Sequence, residues 1–111
     1  MSILKNNTLL TQKDTHAQSF YARFKGLLGK NSFTSGEALI LTPCKSIHTF
    51  FMKFPIDAIF INAQGEILAL YPDLKPNRLT KFYCHAKSVI EVPIGTIQKW
   101  NLKVGESLCI N

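Results

Sequence analysis

Two hydrophobic rhythms divide the chain. In the N-terminal third, Phe20, Phe24, Leu27 and Leu28 recur at i, i+4, i+7 and i+8, which sets them on one stripe of an α-helix. Thr15 and Gln18 have the spacing of a capping box, in which each side chain satisfies an orphan amide of the first turn. Gly29 stands where a C′ glycine belongs, with Lys25 and Lys30 suited to the negative end of the helix. The pattern predicts one amphipathic helix over about residues 16–28. Ahead of it, Ile3, Leu4, Leu9 and Leu10 anchor an arm or edge strand.

Thereafter the period shortens. Glu37–Thr42, Ile47–Met52, Ile56–Asn62, Glu66–Tyr71, Lys87–Val92 and Glu106–Ile110 are short and rich in β-branched and aromatic residues, with turn residues between them. Asn62-Ala63-Gln64-Gly65 reads as a hairpin turn. Pro72 and Pro76 make residues 72–77 a loop or an edge segment. Residues 95–102 read as a turn or a single helical turn ending in Trp100. Six or seven strands and one helix predict a mainly β (α+β) fold. The expected form is a small antiparallel β-barrel or jelly-roll-like sandwich, capped by the N-terminal amphipathic helix.

Composition bounds this picture. The 111 residues, 46% of them hydrophobic, suit a single domain over residues 1–111. No repeat or low-complexity stretch appears. Thirteen Lys and Arg against seven Asp and Glu leave a net charge of +6, scattered along the sequence. Such a charge favours encounter with nucleic acid, anionic lipid or acidic ligands without choosing among them. The N-terminus has no signal-peptide apolar core, and no run approaches the ~20 apolar residues of a membrane span. A soluble, cytoplasmic protein is the expectation. Cys44, Cys84 and Cys109 are odd in number, so they are expected as thiols rather than a paired disulfide framework.

Asp57 is the sharpest chemical feature. It opens the run 56–61, whose two alternating faces are otherwise apolar, the pattern of a strand buried on both sides. An unpaired carboxylate there would be costly. Its candidate partners are the amides of the Lys53–Pro55 turn, Lys53, Arg23 and Arg78, with arginine favoured for its bidentate fork. A turn- or helix-locking salt bridge is the leading role, and a ligand-binding or acid–base carboxylate the second.

Cys44, His48, Cys84 and His85 contain the donors of a tetrahedral zinc site. The adjacency of Cys84 and His85 and the lack of any Cys-x-x-Cys argue against a metal. A Cys44/His48 or Cys84/His48 nucleophile pair has no better support. No phosphate-cradling glycine loop or Gly-x-Ser-x-Gly elbow is present, so no catalytic residue is assigned. Phe50, Phe51, Met52, Phe54 and Phe60 read first as core on both faces of a sheet. The sharper reading is a groove bounded by Lys45, Lys53, Lys81 and Lys87 that holds single-stranded nucleic acid. It ranks below the core reading, because no ribonucleoprotein or cold-shock motif accompanies it.

The run Pro43-Cys44-x-Ser46-Ile47-His48-Thr49-Phe50-Phe51-Met52-Lys53-Phe54-Pro55-Ile56-Asp57 resembles the signature of the bacterial and archaeal family called domain of unknown function 192. Arg23-x-x-Gly26-Leu27-Leu28-Gly29, Pro76-x-Arg78, Ala86, Ile90-Glu91-Val92-Pro93-Ile94-Gly95 and Val104-Gly105-Glu106 fit the same pattern, over residues 9–111. The resemblance implies a small, mainly β domain of jelly-roll or barrel type and brings no established reaction, substrate or cofactor. Many members are exported behind a signal peptide, which this N-terminus does not resemble. By matching positions, Arg23, His48, Met52, Asp57, Arg78 and Glu91 are the ligand-binding or fold-locking candidates.

Together these readings predict a small ligand- or partner-binding module with a polar site around His48, Met52, Asp57 and Arg78. No cofactor is named, and the partner is a small molecule or a protein before it is a nucleic acid. The alternatives are a structural or interaction domain that these residues merely lock, and an enzyme using His48 with Asp57 or a cysteine.

Overall fold

A computed structural model describes the backbone of residues 3–5, 8–11, 13–17, 37–50 and 52–110, with side chains over 38–50 and 52–109. Its strands are β1 (Ile3–Lys5), β2 (Thr8–Thr11), β3 (Lys13–Ala17), β4 (Glu37–Leu41), β5 (Ile56–Ile61), β6 (Ile67–Leu74), β7 (Ser88–Val92) and β8 (Leu108–Ile110). A single helical turn, α1 (Thr96–Lys99), lies between β7 and β8.

The strands form two sheets. Five are ordered β3-β4-β7-β5-β6, and three are ordered β2-β1-β8. In the larger sheet β4, β7, β5 and β6 are antiparallel neighbours, while β3 joins β4 in parallel. Strands β5 and β7 are buried at every position, because both lie inside the sheet and both faces are covered. One face carries Leu39, Ile56, Ala58, Phe60 and Val89 beneath Cys44, Ile47, Met52 and Ala86. The other carries Ile40, Ile59, Ile90 and Val92 against Ile97, Leu102 and Leu108. Ile40, Phe60 and Ile90 are fully buried, each stabilising the fold by roughly 1.5–3 kcal/mol relative to exposure.

The expected barrel is not formed. Among the described residues no pairing joins β6 back to β3, so the sheet is open with those two strands as its edges. Pro72 sits within β6, which an edge strand tolerates because one side of its ladder is unused. The expected strand Ile47–Met52 does not form among its described residues: that segment contributes one bridge, His48 to Leu79. Hydroxyls take its backbone groups instead, as described below. The predicted helix cannot begin at residue 16, because His16 and Ala17 pair with Ile40 and Leu41 inside β3. Thr15, the expected cap, lies in the same strand. Residues 18–28 of that expectation lie outside the described residues.

The turn at 62–65 forms as expected. Gly65 donates to Asn62 O at 3.0 Å with φ of 82°, and the Asn62 side chain accepts from the Gln64 and Glu66 amides. A Cβ at Gly65 would collide with the carbonyl oxygen of Leu108, so this position requires glycine on two counts.

Candidate functional site

The two buried carboxylates occupy opposite faces of the large sheet. Asp57 shares a face with Ile59 and Ile61. Its Oδ1 accepts the Asp73 amide and its Oδ2 the Ile97 amide, each at 2.9 Å. Ile97 belongs to the first turn of α1, whose N-cap Gly95 has no side chain to offer. Asp57 therefore caps that turn from 40 positions away in the sequence, and it also pins the end of β6. The partners observed are backbone amides, and not the arginine expected. Arg78 is exposed, its Nη1 lying 3.4 Å from the carbonyls of Pro76 and Asn77. Arg23 lies outside the described residues.

Glu91 points to the other face, between Leu39 and Ala58 in register. It is 5% exposed, and among the described residues no donor bonds it. Burial pushes its carboxyl up from 4.5 to about 8, because the anion would lose its hydration. Met52 is buried on this same side, so the sheet separates Met52 and Glu91 from Asp57.

Over this second face runs a two-stranded ribbon built from residues 44–50 and 77–87. Its backbone bonds are Cys44 N to Lys87 O at 3.0 Å, Tyr83 N to Lys45 O at 2.8 Å, Thr80 N to Ile47 O at 3.0 Å and Thr49 N to Arg78 O at 2.9 Å. Two hydroxyls bolt it together from below. Thr49 Oγ1 donates to Lys75 O at 2.6 Å and accepts the Arg78 amide at 2.9 Å. Thr80 Oγ1 accepts the Ile47 amide at 3.0 Å and donates to Lys81 O at 3.0 Å. Such side-chain bonds substitute for ladder bonds, which is why the segment reads as extended yet forms no regular strand. The hydroxyls of Tyr71 and Tyr83 meet at 2.7 Å beside Phe60, tying the ribbon to β6. Burial, then the hydrogen bond to Tyr71, pushes the Tyr83 phenol up to about 12.

Alternation along the ribbon sends Ile47, Thr49 and Thr80 inward and His48, Phe50, Leu79 and Lys81 outward. On this face Leu79 is 69% exposed and Phe50 41%, and Phe82, next to Lys81 on the ribbon, is 67% exposed. His48 stacks on Phe50, with ring centroids 5.0 Å apart and planes 23° apart. Sequence reasoning put Phe50 in the core first; it stands on the surface, and Phe51 lies outside the described residues.

The cations gather at the same place. Residues 38–56 and 74–90 contain no Asp or Glu, and they hold Lys45, Lys53, Lys75, Arg78, Lys81 and Lys87. Those six account for the whole net charge of +6, since the rest of the chain sets seven cations against seven acids. Lys75 is paired with Asp73 at 3.0 Å, and Lys45 Nζ donates to Cys84 O and Ala86 O. No carboxylate of a described residue pairs with Arg78 or Lys81. Four of the six, Lys45, Arg78, Lys81 and Lys87, are brought onto one ribbon by the pairing of 44–50 with 77–87. That absence of acids was legible in the sequence, whereas Thr49, Thr80 and Leu79 carried no signal of their own.

The catalytic and metal alternatives gain nothing from this geometry. Asp57 is fully engaged with amides on one side of the sheet, and His48 faces outward on the other, so they make no dyad. Cys44 is buried, with Sγ 3.1 Å from Ser46 O, while Cys84 and Cys109 are exposed thiols. Among the described residues, no group of three or more His, Cys, Asp or Glu could hold a metal ion, and no helix is long and apolar enough to cross a membrane.

The model of the domain of unknown function 192 family, described as "Uncharacterized ACR", matches residues 3–110. The chain belongs to this family. It is 35% identical over 100 residues to a UPF0127 protein of Thermococcus sibiricus, covering 83% of this chain and 62% of that one. A UPF0127 protein of Pyrococcus furiosus is 32% identical over 97 residues, covering 83% of this chain and 81% of that one. The chain thus spans less than two thirds of the Thermococcus relative's length. Two crystal structures share the fold. A Novosphingobium aromaticivorans protein of unknown function superposes with a TM-score of 0.84 at 15% identity, over 98% of this chain and 82% of that one. A Sinorhizobium meliloti protein, described provisionally as a transcription regulator, gives 0.76 at 17% identity, over 86% and 79%. At these identities the likeness is one of fold.

Proposed function

We propose that this member of the domain of unknown function 192 family is a binding module for an anionic partner, and that its docking surface is the outer face of the 44–50/77–87 ribbon. The observation that carries this reading is that two acid-free stretches, 38–56 and 74–90, hold six cations, and that four of them, Lys45, Arg78, Lys81 and Lys87, lie on the ribbon these stretches contribute. A cationic surface without interspersed acids attracts anions and speeds their encounter. In this reading His48 on the outer face and Arg78, exposed on the neighbouring part of the ribbon, belong to the binding surface. Asp57, Met52 and Glu91 belong to the folded frame beneath it. A single pocket lined by all of them is not supported, because the sheet stands between Asp57 and the rest.

The test is position-specific retention on a sulfated polyanion matrix such as heparin. The unmodified chain should be retained at low salt, and Arg78→Glu with Lys81→Glu should elute much earlier. Lys99→Glu with Lys103→Glu removes equal charge at the α1 end of the chain and should elute close to the unmodified protein. Equal shifts for both pairs, or no retention at all, would overturn the reading. Circular dichroism melts confirm that each variant folds.

A further inference from the structure

Resting on that anionic-partner reading, we infer that the ribbon binds single-stranded nucleic acid, with bases stacking on Phe82 and the His48–Phe50 pair and phosphates meeting Arg78 and Lys81. The ring geometry is an observation independent of the charge. Three rings stand on the surface of one ribbon, and two of them already lie nearly parallel at 5.0 Å. Every base presents a π-face, so exposed rings beside cations make a platform that holds a single strand with little regard to sequence.

Other polyanions fit less well. An acidic peptide would satisfy the cations and leave Phe50, Phe82 and Leu79 largely idle. A lipid surface would cover the apolar side chains, but it would also strip water from the imidazole of His48 and leave its polar atoms unpaired, a cost a base edge does not impose. A duplex groove is entered by a helix or by a two-stranded ribbon standing clear of the body, whereas this ribbon lies packed on the sheet through Cys44, Ile47 and Ala86. The one described helix, four residues long, packs on the other side of the sheet. Arg78 adds a planar fork that can grip one phosphate in two places.

The direct test is fluorescence anisotropy of a labelled oligothymidylate titrated with the full chain, beside a duplex, polyglutamate and phosphatidylglycerol vesicles. Binding is expected to the single strand. Phe82→Ala and Phe50→Ala should each weaken it by about 5- to 150-fold, the range for one stacked base. Two to three phosphate contacts should make a fourfold rise in salt cost about 7- to 18-fold in affinity. Both rings are exposed, so their removal leaves the core intact. Equal binding to polyglutamate with no effect of Phe82→Ala would overturn the nucleic-acid inference and leave the anionic surface standing. Ring-dependent binding to vesicles, without binding to the oligonucleotide, would replace nucleic acid by a membrane surface. Binding to none of the four would sink both readings.

Discussion

Glu91 makes the fold pH-sensitive in a direction that can be worked out in advance. Its carboxyl titrates near 8 in the folded chain, against an ordinary value of 4.5. Below about pH 4.5 both folded and unfolded chains hold the proton, and the site is neutral to stability. Between the two values only the folded chain keeps it, so folding takes up a proton and stability falls as pH rises. Above about pH 8 both have lost it, and the folded chain buries an anion that no described residue pairs. Each pH unit of the window is worth about 1.4 kcal/mol. The loss therefore reaches about 3 kcal/mol at pH 7 and levels off between about 4 and 5 kcal/mol above pH 8. Glu91→Gln keeps the shape and removes the titration. Urea denaturation of both proteins at pH 5, 6, 7 and 8 isolates the effect, because every other titrating group is common to the pair. The variant should gain on the unmodified chain by on the order of 1 kcal/mol per pH unit across that range. A difference that stays flat from pH 5 to 8 would show that Glu91 is already charged in the folded state, and the argument from burial would fail.

Other parts of the frame make equally definite predictions. Asp57→Asn leaves one amide, Asp73 or Ile97, facing a donor instead of an acceptor. The loss should be about 2–4 kcal/mol in chemical denaturation, with amide exchange fastest at Ile97 and along 73–75; an unchanged midpoint would contradict the capping role. Thr49→Val preserves shape but removes the hydroxyl that holds Lys75 O and Arg78 N. It should cost about 1–3 kcal/mol and loosen the ribbon, measured as lost hydrogen-exchange protection at the Arg78 amide, whereas protection equal to the unmodified chain's would rule the bolt out.

Strands β4 to β7 of the large sheet were legible in the sequence because their signals are local, whereas β3 was not, since Thr15 and Gln18 read as a helix cap. The apolar faces of 56–61 report double burial, and the Asn62–Gly65 turn carries its own chemistry. Asp57 was legible as a buried acid that must be satisfied. Its partners were not, since backbone amides of Asp73 and Ile97 become neighbours only through the tertiary fold, and arginine was the better guess on side-chain chemistry alone. Sheet closure depends on the register and twist of distant strands, which composition does not encode, so an open sheet and a barrel look alike in a strand count. The ribbon was mistaken for a strand because Ile47–Met52 has the right composition, while two threonine hydroxyls, ordinary in any sequence, capture its backbone. Phe50 and Leu79 are large and apolar, and in sequence nothing distinguishes a docking surface from a core.

The most direct test of the account is a two-dimensional ¹⁵N–¹H NMR titration of the labelled chain with oligothymidylate. The account predicts shift changes concentrated at residues 45–50 and 77–87, with the Phe50, Leu79 and Phe82 amides among the most affected and α1 and β8 undisturbed. Changes centred on α1 or on the β2-β1-β8 sheet, or none at saturating oligonucleotide, would contradict it.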